Sequence, residues 1–65
     1  MFDKEIVKEE IKSRIPKENW DNYDFNQIVN GYTIKDGFYY FRIDNLALVF
    51  DENKLIDACP GYYSI

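Results

Sequence analysis

Between Phe38 and Phe50 the chain carries Phe38, Tyr39, Tyr40, Phe41, Ile43, Leu46, Leu48, Val49 and Phe50, and the pair Asp44-Asn45 divides the run. Aromatic and branched side chains on both sides of a turn-forming pair predict a buried antiparallel hairpin. That hairpin limits the chain to a β-rich fold. At 65 residues there is room for one small domain, 1–65. A domain of this size buries only roughly 60% of the surface its unfolded chain exposes, so one Trp, six Tyr and five Phe must supply much of the packing.

The remaining punctuation extends the hairpin into a meander. Lys35-Asp36-Gly37, Asp44-Asn45 and Asp51-Glu52-Asn53 separate runs of strand-forming residues, which predicts strands near 27–34, 38–43, 46–50 and 54–58. Gly37, and Asn45 or Asn53, are the residues suited to positive φ in these turns. Cys59-Pro60-Gly61 breaks the ladder, and Gly61 to Ile65 offers one more short edge strand.

Residues 3–15 hold strong helix formers with no Gly or Pro before Pro16, and predict a helix. Val7, Ile11 and Ile15 form its apolar stripe, with Phe2 and Ile6 set around from it, while Glu10 and Arg14 are spaced to pair across a turn. Thirteen isolated residues make a marginal helix, so this one needs a sheet to lie on. Residues 16–26 read as a connector with one helical turn, in which Trp20, Tyr23 and Phe25 alternate with Asp21, Asn22, Asp24 and Asn26. The expected fold is α+β, one N-terminal helix packed on a three- to four-stranded antiparallel meander spanning 27–65.

A single helix covers one face of such a sheet. Alternation puts Leu46, Leu48 and Phe50 on one face and Ala47 and Val49 on the other; likewise Tyr39, Phe41 and Ile43 oppose Phe38, Tyr40 and Arg42. Tyr32, Tyr40, Tyr62 and Tyr63 are the candidates to line the uncovered face, because a tyrosine ring buries area while its hydroxyl tolerates water. Arg42 is placed to stack on Tyr40 or Tyr32, or to pair with a neighbouring acid.

Charge divides unevenly along the chain. Residues 1–18 balance five bases against five acids, whereas residues 19–65 carry Lys35, Arg42 and Lys54 against Asp21, Asp24, Asp36, Asp44, Asp51, Glu52 and Asp57, the whole of the net −4. Direct nucleic-acid binding would work against that field, and a basic protein or nucleoprotein partner suits it.

Catalytic constellations are weak. Histidine is absent, so Ser13, Ser64 and Cys59 have no imidazole base, and one cysteine makes neither a zinc site nor a disulfide. The lone Cys59 suits a reducing, cytoplasmic setting and the role of a small core side chain. Asp51, Asn53, Leu55 and Asp57 fail as a calcium loop, since the fifth, sixth and twelfth positions are Leu55, Ile56 and Tyr62. Gly31, Gly37 and Gly61 lie in separate turns and form no phosphate loop. No apolar run approaches the roughly 20 residues of a membrane helix, and the charged first fifteen residues do not form a secretory signal.

The function class these features favour is a non-enzymatic protein-binding module without cofactor, metal or membrane. Trp20, Tyr23, Tyr32, Tyr40, Tyr62 and Tyr63 would supply contact area, and Asp21, Asp24, Asp36, Asp44, Asp51, Glu52 and Asp57 the charge. A nucleic-acid-handling enzyme is the expected target, because its cationic channel accepts carboxylates in place of phosphates. Small inhibitors carried by phages and mobile elements, anti-CRISPR proteins among them, share this size, charge and lack of catalytic groups. The alternative is a structural module or accessory subunit that pairs with a second copy through the open sheet face or an edge strand.

Overall fold

The computed structural model describes residues 1–60. Helix α1 (Lys4–Ser13) leads into a 3-10 helix (Lys17–Asn22), a short helix α2 (Phe25–Asn30) and strands β1 (Thr33–Lys35), β2 (Phe38–Ile43), β3 (Leu46–Asp51) and β4 (Lys54–Pro60). The strands form one antiparallel sheet in the order β1-β2-β3-β4, so the α+β arrangement of helix on meander is as the sequence predicts.

Helix α1 begins where Asp3 Oδ1 accepts the N–H groups of Glu5 and Ile6. It ends two residues earlier than predicted, with Arg14 as its C-cap, so Ile15 packs on the core from outside the helix. Glu10 and Arg14 pair at 2.9 Å on its surface. The strand predicted at 27–34 is replaced by α2 and the three-residue β1. Asp24 supplies the reason: its side chain accepts the Gln27 N–H and caps a helix whose Phe25, Ile28 and Val29 turn one stripe toward the core.

Each hairpin loop has two residues, Asp36-Gly37, Asp44-Asn45 and Glu52-Asn53. Positive φ falls on Asp36, Gly37, Asp44 and Glu52, and among the described residues neither Asn45 nor Asn53 adopts it. The first residue of each loop is left-handed, joined in the first loop by Gly37, and in the other two an acid occupies that place where an asparagine follows it.

The core lies between the helices and one sheet face. Val7 and Ile11 of α1, Val29 of α2 and Phe41, Ile43, Leu48 and Phe50 of the sheet form its buried centre. Phe41 meets Phe50 edge-on at 5.2 Å, and Phe2 stacks on Tyr39 at 4.2 Å. Opposed residues share a face, so Lys35, Phe38, Tyr40, Arg42, Ala47, Val49, Asp51, Lys54, Asp57 and Cys59 belong to the other side of the sheet.

Candidate functional site

The end of the sheet at the β2–β3 turn faces the corner between the 3-10 helix and α2. Between them is a cleft of about 380 Å³ lined by Tyr23, Asp24, Gln27, Arg42 and Asp44, among others. The Tyr23 hydroxyl donates to Asp44 Oδ2 at 2.6 Å. That hydrogen bond, then desolvation, then the carboxylate's charge hold the Tyr23 phenol above the usual tyrosine range. Asp24 caps α2 through Oδ1. Each of the two carboxylates therefore spends one oxygen on the fold and is held in place by it, which is the preorganisation that a polar binding site needs. Three sequence-predicted residues meet here, and Asp21 stands exposed nearby on the 3-10 helix.

The remaining predicted residues are dispersed. Trp20 is half-buried: its Nε1–H donates to the carbonyls of Lys12 at 3.2 Å and Ile15 at 3.0 Å, while Lys12 Nζ sits 4.6 Å from the ring centroid. It closes the C-terminal end of α1. Tyr32 lies on the helix side, 5.1 Å from Phe2 and 5.5 Å from Tyr39, which removes it from the open face and from stacking on Arg42. Tyr40 is on the open face and half-buried. Tyr62 and Tyr63, with the predicted strand at 61–65, lie outside the described residues.

The acids divide between the two ends of the sheet. Asp36, Asp51 and Glu52 stand at the end away from the cleft, where Asp51 is opposite Lys54, Asp36 follows Lys35, and Glu52 pairs with the Met1 ammonium. Asp57 is on β4, and both of its oxygens are engaged: Oδ1 accepts the Ala58 N–H at 2.8 Å and Oδ2 accepts the Cys59 thiol at 3.5 Å. Desolvation and that carboxylate push the Cys59 thiol up, which keeps it protonated and poorly nucleophilic.

The register also shows where the bases go. All three bases of residues 19–65, Lys35, Arg42 and Lys54, belong to the open sheet face, beside Asp51 and Asp57. That face is of mixed charge rather than acidic. Ala47 and Val49 at its centre are only 4% and 6% exposed. The pattern was available in the alternation of Lys35, Phe38, Tyr40 and Arg42, which a sum of charge over the whole segment hides.

Two residues carry contacts that composition did not suggest. Asn53 Nδ2–H donates to the Met1 carbonyl at 2.8 Å and Asn53 Oδ1 accepts the Asp3 N–H at 2.6 Å, while Phe2 enters the Tyr32, Tyr39 and Phe41 cluster. Among the described residues no three His, Cys, Asp or Glu side chains are grouped to hold a metal ion, and no helix is long and apolar enough to cross a membrane. Comparison with protein families, characterised proteins and solved structures finds no match for the chain.

Proposed function

We propose that this protein is a small non-catalytic module that binds a basic protein surface through the cleft end of the molecule, and that its target is a nucleic-acid-handling enzyme or complex, which it blocks in the manner of phage and mobile-element inhibitors such as anti-CRISPR proteins. The observation that carries the reading is the concave juxtaposition of Tyr23, Asp24 and Asp44, with Asp21 exposed on the 3-10 helix that contributes Asn22 to the same cleft. Arg42 also lines the cleft, so the site suits one or two incoming cations rather than a long basic stripe. The acids at the opposite end have Lys35, Lys54 and the Met1 ammonium as neighbours, which makes that end the weaker attractor. Carboxylates fixed by the fold lose little freedom on binding, and their field raises the rate of encounter with a cationic channel.

The test is competition. Purified RNA-guided nuclease complexes are assayed for binding to this protein with and without their nucleic-acid target, alongside the variant Asp21→Asn/Asp24→Asn/Asp44→Asn. Asparagine keeps the cap at 24 and tolerates positive φ at 44, so charge is removed with the fold retained. Mutually exclusive binding of protein and nucleic acid, with association slowed about tenfold in the triple variant, is the expected result. Simultaneous binding, equal rates for the variant, or direct capture of an oligonucleotide by this protein would overturn the reading.

A further inference from the structure

Strand β4 is an outer strand of the sheet, and among the described residues no strand pairs with its far side. Which of its backbone groups face outward follows from the loops. A two-residue hairpin closes on a pair that exchanges both hydrogen bonds, so Ile43 and Leu46 form such a pair, and hydrogen-bonded and non-hydrogen-bonded pairs then alternate along the ladder. Leu46, Leu48 and Phe50 thus direct their N–H and C=O toward β2, while Ala47, Val49 and Asp51 direct theirs toward β4. The pairing of Asp51 with Lys54 across the next two-residue loop agrees with this parity. Ala58 stands opposite Leu48, and both of its backbone groups point away from β3.

Within Asp57–Pro60 this leaves Ala58 with the one outward N–H, since Asp57 and Cys59 donate inward and Pro60 has no N–H. Ala58 N–H and C=O, side by side on an unpaired edge, are the groups that an antiparallel copy of the same segment would match about a two-fold axis, each Ala58 donating to the other. Two features stand in the way. The register shift between Val49 and Phe50 leaves Ile56 as an extra residue and interrupts the edge before Ala58. The Asp57 carboxylate takes the Ala58 N–H itself at 2.8 Å.

We propose that Asp57 is an edge guard: its carboxylate occupies the outward Ala58 amide and so prevents β4 from pairing with β4 of a second copy. This gives Asp57 a task distinct from partner binding at the cleft, and it accounts for a carboxylate that turns back onto the strand although water is available to it. Arg14 borders the same edge, lining with Leu55, Ile56, Asp57 and Ala58 a shallow hollow of about 220 Å³, which further narrows the approach.

Sedimentation equilibrium over a concentration series, on the full chain, reads the outcome. The parent protein and Asp57→Asn, which retains an acceptor oxygen, stay at the mass of one copy. Asp57→Ala rises toward the mass of two copies as concentration increases, and the double variant Asp57→Ala/Ala58→Pro, which deletes the amide in question, returns to one. A second measurement does not depend on the variants folding: by NMR, the Ala58 amide of the parent exchanges with solvent slowly although no strand among the described residues partners it. A folded Asp57→Ala protein that stays at one copy throughout, association unchanged by Ala58→Pro, a parent that already pairs through β4, or an unprotected Ala58 amide would each overturn the proposal.

Discussion

At Asp36, Asp44 and Glu52 the backbone sits at φ of 55°, 53° and 54°, a region that costs L residues roughly 1–2 kcal/mol unless the side chain is suited to it. Aspartate is among the residues that visit it readily and glutamate is not, so Glu52 is the least comfortable of the three. Asp44 gains a specific use from the position, because the turn presents its carboxylate to the Tyr23 hydroxyl at 2.6 Å. The hydrogen bond favours the neutral phenol, and the resulting upward shift has a defined sign. The folded protein holds the Tyr23 proton more tightly than the unfolded chain does, so the contribution to stability is complete below the unfolded tyrosine value of about 10 and is lost as pH rises through the folded value. Tyrosinate absorbance should show Tyr23 ionising above the usual range, and Asp44→Ala should bring it back. A titration curve unchanged by that substitution would mean the bond is not kept in solution.

Among the elements, α2 teaches the most about reading this chain. Ile28, Val29, Tyr32 and Ile34 have the branched and aromatic character of a strand, and on that character a strand over 27–34 is the natural reading. Asp24 outweighs it: an N-cap with Gln27 at the third helical position starts a helix, and the spacing of Phe25, Ile28 and Val29 then places the apolar stripe against the sheet. Strand character resumes only at Thr33. Asp24→Ala should cost about 1 kcal/mol in urea denaturation while Asp24→Asn costs much less, as the capping preference requires. Equal losses would assign the effect to charge instead of capping. The three later strands and α1 were legible because pattern, turn residues and helix stops agree there. The cleft was not, since it is made by Tyr23 and Asp44, 21 positions apart, which meet only once the sheet and the 3-10 corner are both in place.

For the molecule as a whole, the helical layer and one sheet face share a single core, while the charges of residues 19–60 sort in part: Asp21, Asp24, Asp36, Asp44 and Glu52 lie at the tips and corner, and Lys35, Arg42 and Lys54 share the open face with Asp51 and Asp57. Both outer strands resist pairing. Strand β1 is three residues long and ends in Lys35, and by the same parity Ile34 alone turns both backbone groups outward; β4 carries its bulge, its occupied Ala58 amide and Pro60. These edges weigh against the edge-paired homodimer.

The grip of Asn53 on Met1 and Asp3 joins positions 50 or more apart, so it ties residues 1–3 to the β3–β4 hairpin. Closing so long a loop is entropically unfavourable until everything between is already ordered. The contact is therefore expected to form late, after the barrier to folding has been crossed. Asn53→Ala should lower stability by about 1 kcal/mol and, in stopped-flow kinetics, appear as roughly fivefold faster unfolding with the refolding rate unchanged. Slower refolding would instead put the union of the two termini of the fold at the start of the pathway. On the late-closing account, Asn53 acts as a latch on lifetime: it sets how long the finished protein persists, and has no part in how quickly it is made.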